Sequence, residues 1–143
     1  MKKTLFMSSG DVAISYGPEL VTNGTFDTDL SGWTADAWWV WDANGGDGRA
    51  YHPSSGDYKA ISQNPATLNG SSYKFNFDLT RVTGDIKIRY KNGAGGNVDT
   101  IYTTSGLKEI IITDIQTGTA FFFSRNTLTT EFYIDNVSVR EIL

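Results

Sequence analysis

The sequence predicts an all-β sandwich, and two features of the chain carry this prediction. Apolar and polar residues alternate in short runs, and Gly, Asn, Asp and Pro cluster between the runs, whereas no window has the periodicity of an amphipathic helix. The 143 residues, 39% hydrophobic and 20% charged, suit one domain with a packed core. Short strands separated by polar turns are typical of two sheets packed face to face.

The chain opens with a short predicted strand over residues 19–21, followed by a turn at Asn23 and Gly24. We expect Phe26 to return to the core and Trp33 to anchor a second loop, because both are large and apolar in a polar segment. The last strand of the chain should pair near this corner.

Further strands follow along the chain, with a turn predicted at residues 44–48. Residues 72–80 and 85–91 alternate most regularly, so Tyr73, Phe75 and Ile88 should point inward with their neighbours of the same parity. The predicted strands after the opening corner are 37–42, 49–52, 58–63, 72–80, 85–91, 98–102, 107–113, 119–124 and 131–140.

The last predicted strand changes parity along its length. Phe132 and Ile134 share one face, whereas Val137 and Val139 belong to the other. A β-bulge at residues 135–136 would bring all four apolar side chains to the core. It would also change the direction of the Asp135 carboxylate.

Two motifs resemble a known family. The segments TNGTFDTDLSGWT and YIDNVSV resemble the opening and closing segments of the jelly-roll carbohydrate-binding modules attached to xylan- and glucan-degrading enzymes. The fuller pair, ELVTNGTFDTDLSGWT and YIDNVSVREIL, is still more similar to a domain of phage structural proteins such as tail-fibre and other virion-surface chains. The resemblance covers residues 19–143 and implies a jelly-roll β-sandwich, with 18–143 as the domain.

Residues 1–17 stand outside this resemblance. Their apolar side chains favour either an arm that docks on a neighbouring subunit or an additional edge strand over residues 12–16. The apolar run at residues 5–7 is too short for a secretory signal. We therefore expect synthesis in a host cytoplasm without a signal peptide.

Composition excludes several kinds of function. The net charge of −4 argues against nucleic-acid binding, and the absence of Cys excludes disulfides and thiol chemistry. The one histidine, His52, precedes a proline and is expected to be a turn residue. The aspartates lie in predicted turns or on polar faces, where solvated carboxylates are ordinary. The sequence therefore predicts a protein that is not an enzyme.

The resemblance also implies a calcium ion that joins the opening turn to the closing strand. Carried over by position, its ligands would be the Thr25 carbonyl and the carboxylates of Asp27 and Asp135. Asp27 is one methylene shorter than the Glu often found there. The alternative is that Asp27 caps a turn and Asp135 fills the bulge.

A carbohydrate site needs rings that stack on the apolar faces of sugars and polar groups that bind their hydroxyls. The candidates are the rings of Trp38, Tyr51 and Tyr58 and the polar side chains of Arg89 and Gln63. Core packing is the alternative for each ring. Trp38 is the tryptophan expected to be exposed, because the tryptophans at 39 and 41 share the opposite face and look like a packed pair.

A basic stripe runs along the predicted strand 85–91, where Lys87, Arg89 and Lys91 alternate. The stripe could meet an acidic glycan or an acidic neighbouring subunit, or it could simply face solvent. We expect a non-catalytic virion structural protein on a phage surface, as decoration, fibre or tail component, which binds other virion proteins and copies of itself and adheres to glycans. The alternative is a free-standing carbohydrate-binding module of a bacterial polysaccharide-degrading system.

Overall fold

The computed structural model describes residues 13–54 and 60–143. Within these residues the chain forms β-strands and one short 3-10 turn, Asn44–Gly46, and no α-helix. The strands are β1 (Tyr16–Glu19), β2 (Thr34–Ala35), β3 (Val40–Asp42), β4 (Arg49–His52), β5 (Ala60–Gln63), β6 (Ser72–Thr83), β7 (Ile86–Lys91), β8 (Asn97–Tyr102), β9 (Gly106–Ile112), β10 (Phe121–Arg125) and β11 (Glu131–Ile142).

The strands form two antiparallel sheets. Sheet A has the order β3-β4-β11-β6-β9, and β1 pairs with the C-terminal half of β11, next to β4 on the same side. Sheet B has the order β2-β5-β10-β7-β8. The connections repeatedly cross from one sheet to the other, so each sheet contains strands from both halves of the chain.

The core lies between the sheets and is filled by alternate side chains, as the sequence predicts. Tyr73, Phe75 and Ile88 are almost completely buried. The Phe75 ring lies 4.9 Å from that of Phe121 and 5.8 Å from that of Phe123, so β6 of sheet A packs directly on β10 of sheet B. Burying rings of this size is the main stabilising contribution of the fold.

The opening corner is held by ring packing and by a hydrogen bond from a side chain to the backbone. Phe26 is fully buried although its φ is +50°, and its ring lies 5.2 Å from the ring of Trp33. A positive φ is strained for a bulky residue, so the surrounding contacts must hold this conformation. The Trp41 Nε1–H donates to the Phe26 carbonyl at 2.6 Å. The predicted core position of Phe26 is therefore correct.

The predicted bulge in β11 is confirmed. The register between β11 and β6 shifts between Asp135 and Ser138, and Asn136 has a φ of +50°. Val137 is 5% exposed, and its N–H donates to the Gly24 carbonyl at 2.9 Å. The bulge thus buries both parities of the strand and binds the opening corner.

Most strand boundaries differ from those predicted by one to three residues, and β2 has no predicted counterpart. Two of the differences have a clear consequence for the fold. β3 begins only at Val40, because the Trp39 N–H donates to the Asp36 carbonyl at 3.0 Å and closes a turn in the first half of the predicted strand 37–42. β1 crosses the expected boundary between Gly17 and Pro18. It pairs with β11 on both sides of that boundary, at Tyr16 and at Glu19, with an irregularity in register between them. Residues 1–12, which make up most of the proposed arm, lie outside the described residues.

The prediction that His52 is a turn residue is wrong. His52 is the last residue of β4 and is fully buried, with its ring 5.2 Å from that of Phe132 and stacked on it. Pairing of His52 with Phe132 places the imidazole on the core side of sheet A. Proline follows because it ends the strand and needs no ladder hydrogen bond there.

Candidate glycan-binding groove

A groove crosses the outer face of sheet B. It has a volume of about 390 Å³ and is lined by Asp36, Ala60, Arg89, Lys91, Asn97 and Phe122. These residues come from β5, β10, β7 and β8 and from the turn that follows β2, so the sheet register itself brings them together. We call this feature the sheet B groove.

Phe122 forms the apolar floor of the sheet B groove. Its neighbours Phe121 and Phe123 are buried in the core, and the pleat therefore turns Phe122 outward. Its cross-strand partner on β5 is Ser62. Phe122 is half-buried and therefore presents part of its ring to the groove.

A second depression of about 260 Å³ continues the groove toward one end of the sheet. It shares Lys91 and Phe122 with the first depression, so the two form one continuous surface. Its lining adds the amides of Asn64 and Gln116 and the backbone around Gly118. Amide side chains both donate and accept hydrogen bonds, which suits a ligand that carries many hydroxyls.

Arg89 is held in place within the groove. Its Nε–H and Nη2–H donate to the two carboxylate oxygens of Asp99 at 2.6 and 2.8 Å. This hydrogen-bonded pairing lowers the pKa of the Asp99 carboxyl below its usual value, with a smaller contribution from burial in the opposite direction. Arg89 therefore presents an oriented guanidinium to the groove.

The other predicted sugar-binding residues that the structure describes lie outside the groove lining. Trp38 is 44% exposed, as expected, and lies in the turn two residues beyond Asp36, outside the groove lining. The Gln63 side chain donates to the carbonyls of Thr22 and Gly32 and accepts from the Thr22 N–H, so it fastens the opening loop to β5. Tyr58 lies outside the described residues.

Tyr51 is on the outer face of sheet A, on the opposite side of the sandwich from Arg89. Its ring stacks on Tyr133 at 4.5 Å, and the Arg49 guanidinium covers the Tyr133 ring at 3.7 Å. The Tyr51 hydroxyl donates to Glu131 at 2.7 Å, and this hydrogen bond, aided by burial, raises the pKa of Tyr51 to about 12. The structure therefore does not bring Tyr51 and Arg89 into one site.

The proposed calcium ligands surround the bulge. Thr25 and Asp27 are exposed on the opening loop, and Asp135 lies in the bulge of β11. Burial raises the pKa of Asp135 to about 6, and the negative charges of Asp47, Asp78 and Asp27 contribute to the increase. An oxygen-only donor set of this charge suits calcium.

The same surroundings limit how a metal could be held. No group of three or more acidic, histidine or cysteine side chains in residues 13–54 and 60–143 could hold a metal ion. Ligands from backbone carbonyls, such as that of Thr25, would have to complete the site, and the calcium ion stays a prediction.

Sequence reasoning missed Phe122, Asn97 and Asp36 as groove residues. The run of three phenylalanines from Phe121 to Phe123 carried a usable signal, because consecutive residues in a strand cannot all face the core. Asn97 and Asp36 had no such signal. Their positions depend on which strands are neighbours in sheet B.

Solved structures of carbohydrate-binding modules have similar folds. The module TmCBM61, solved with β-1,4-galactotriose, matches with a TM-score of 0.62 and 18% identity, over 86% of this chain and 98% of the module. The CBM22-1 xylan-binding domain of Xyn10C from Paenibacillus barcinonensis also matches with a TM-score of 0.62, at 14% identity, over 91% of this chain and 98% of that domain. The chain has the jelly-roll β-sandwich fold of these modules. At these identities the likeness establishes the fold alone.

A phage protein is also similar in structure. The enzymatically active domain of tailspike protein 4 from bacteriophage CBA120 matches with a TM-score of 0.60 and 14% identity, over 87% of this chain but 21% of the tailspike chain. No protein-family model and no curated protein sequence matches the chain. Among the described residues, no helix has the length and apolar character needed to cross a membrane.

Proposed function

We propose that the chain is a non-catalytic glycan-binding protein and that the sheet B groove takes the glycan. The observation that carries this proposal is the groove itself, on a jelly roll similar to the modules described above. Phe122 offers an apolar surface for the C–H face of a sugar. Asn97 and Asp36 offer hydrogen-bonding groups on either side of this floor.

The setting that we propose is the surface of a phage virion, with the similar tailspike segment as support. A shallow groove binds weakly, with dissociation constants of about 1 mM corresponding to about −4 kcal/mol. Display of many copies can increase avidity by roughly 10² to 10⁴ without new contacts. Electron microscopy of the purified protein would reveal assembly. The alternative is a free-standing module of a bacterial polysaccharide-degrading system.

Affinity electrophoresis in gels that contain xylan, β-1,4-galactan, β-glucan or an acidic polysaccharide tests glycan binding. We expect retardation in at least one polysaccharide. Phe122→Ala should weaken it by roughly fivefold or more, because a central apolar contact is lost. Asn97→Ala, at an exposed position, should weaken it without affecting the melting temperature.

The matched control is Ile111→Ala, which truncates a 53% exposed apolar side chain on the outer face of sheet A. Trp38→Ala and Tyr51→Ala remove the two rings outside the groove that the sequence also offers as candidates. If one of these variants or Ile111→Ala abolished binding while Phe122→Ala and Asn97→Ala did not, the sheet B groove would not be the site.

A further inference from the structure

Three cations lie at alternate positions of β7, along one side of the sheet B groove. Lys87, Arg89 and Lys91 share the outer face, since Ile88 between them is fully buried. Alternate residues of a strand are about 7 Å apart, so the three charges follow the strand for about 14 Å. The chain as a whole has a net charge of −4, which makes this concentration of positive charge unusual for its surface.

Among the described residues, two carboxylates stand beside these cations. Asp99 accepts both hydrogen bonds from Arg89, and the charge of Lys87 also acts on the Asp99 carboxyl. Asp36 stands at the β5 side of the groove, where its Oδ2 accepts from the Ala60 N–H at 2.9 Å. Lys91 is exposed and lines both depressions. Lys91 is therefore the cation of β7 that both parts of the groove share.

One cavity on the outer face of sheet A is mainly acidic. Asp47, Asp78 and Asp135 line it, together with one cation, Arg49. An extended anion would meet less favourable charge in this cavity than along β7 of sheet B. The β7 side of sheet B is therefore the better of these two surfaces for such a ligand.

We infer that the sheet B groove selects glycans that carry carboxylates, with Lys91 as the principal anion contact and Arg89 as an oriented second one. This inference rests on the proposed glycan-binding function and adds the class of ligand. The ligand is a polyanionic polysaccharide that contains uronic acid units. Its sugar rings lie over Phe122, and its carboxylates face β7.

The test compares polygalacturonate with its fully methyl-esterified form, which keeps the sugar backbone and removes the charge. Titration calorimetry and affinity electrophoresis at 50 and 500 mM NaCl should show binding of the acid form that salt weakens, because salt screens exposed charges. Lys91→Gln should weaken binding by roughly two- to fivefold, and Lys87→Gln with Lys91→Gln by roughly tenfold.

Lys108→Gln is the matched control, because it removes one positive charge from β9 of sheet A and should leave binding unchanged. Equal weakening by Lys108→Gln would mean general attraction by net charge and would overturn the inference. Equal binding of the methyl-esterified polysaccharide would also overturn the inference, while leaving the proposed glycan-binding function intact.

Two further outcomes separate this inference from the proposed function. If polygalacturonate, alginate and hyaluronate all failed to bind at 50 mM NaCl, selection of carboxylated glycans would be wrong, and the neutral polysaccharide gels would report separately on glycan binding. If polyglutamate bound as tightly as the uronates, the surface would be a site for acidic protein, and the inference would be wrong.

Discussion

The buried imidazole of His52 couples the stability of the fold to pH. Its Nδ1 lies 3.2 Å from the Thr130 carbonyl, which assigns the proton to that nitrogen, and Nε2 has no hydrogen-bond partner among the described residues. Burial lowers the pKa of His52 below 6.5, and the positive charge of Arg125 adds to this effect. Folding therefore favours the neutral ring, while the unfolded chain binds a proton at higher pH.

We predict that His52 makes the protein less stable as pH falls below 6.5. The unfolded state gains a proton there and the folded state does not, so the free energy of unfolding falls until the lowered folded-state pKa is reached. His52→Phe should remove this dependence. Urea unfolding at pH 7.0, 6.5, 6.0 and 5.5 measures it, as the difference between wild type and variant.

Asp135 provides the comparison, because its contribution has the opposite sign. Its pKa is raised from 3.8 to about 6, so the folded state binds the extra proton and stability increases as pH falls through 6 toward 3.8. Asp135→Asn should remove that increase.

For His52, the difference in unfolding free energy between wild type and His52→Phe should change from pH 7.0 to 5.5. A constant difference over this range would contradict the proposed effect of burial.

Single residues divide into those that a sequence pattern specifies and those that it does not. The burial of Tyr73 and Phe75 follows from strand parity alone. The role of Gln63 does not follow from strand parity, because its side chain hydrogen-bonds to Thr22 and Gly32, which precede it by 41 and 31 residues. His52 was misread for the same reason. Its burial depends on pairing with Phe132, 80 residues later.

Among the elements, the corner between the opening loop and β4 is tightly packed around Gly48. A Cβ atom at Gly48 would lie 2.0 Å from the Phe26 carbonyl oxygen and 2.7 Å from Trp41 Nε1. Both neighbours are fixed, since they hydrogen-bond to each other. The corner therefore has room for no side chain at position 48.

We predict that Gly48→Ala destabilises the protein by about 1–3 kcal/mol, because the Phe26 backbone must move to admit the methyl group. Thermal unfolding measures the loss. Gly45→Ala is the control. Position 45 is open, and its φ of +72° should cost about 1 kcal/mol through backbone strain alone. Equal losses in the two variants would rule out packing as the cause.

Element positions were predictable where periodicity is strong. Strand β7 and the bulge in β11 follow from alternation and from its interruption. The start of β3 was not predictable, because the Trp39-to-Asp36 hydrogen bond replaces extended backbone with a turn. The groove was predictable only in part. Its basic side was visible in the sequence, whereas its floor and its β5 side require the order of strands in sheet B.

At the scale of the whole molecule, the acidic bulge links the two ends of the chain. Gly24 of the opening loop accepts from Val137 of β11, and Asp135 is repelled by acids from three other segments. A calcium ion there would convert this repulsion into attraction and would join the opening loop to the closing strand. A ligand that binds only the folded state stabilises it by mass action.

We predict that calcium raises the melting temperature and that a chelator lowers it. A concentration of 100 times the dissociation constant would add about 2.7 kcal/mol to the free energy of unfolding. Asp135→Asn should be insensitive to calcium and, in its absence at pH 7, more stable than wild type. Scanning calorimetry with and without chelator measures both effects.

Glu141→Gln is the control for charge, since it removes one carboxylate from the far end of β11 and should keep the calcium response. An identical melting curve for wild type with calcium and with chelator would leave Asp27 and Asp135 in the turn-and-bulge roles that the sequence also allows.

The pairing of β1 with β11 has a mechanical consequence. Tyr16 lies opposite Ile142, and the Leu143 N–H donates to the Ser15 carbonyl, so residues 15 and 143 leave the sandwich at the same corner of sheet A. Tension applied between these two points would break the hydrogen bonds between β1 and β11 one after another. Tension between residue 143 and a ligand held on sheet B would instead cross the packed core. The domain should therefore resist a force between residue 143 and a ligand in the sheet B groove far better than a force between residues 15 and 143.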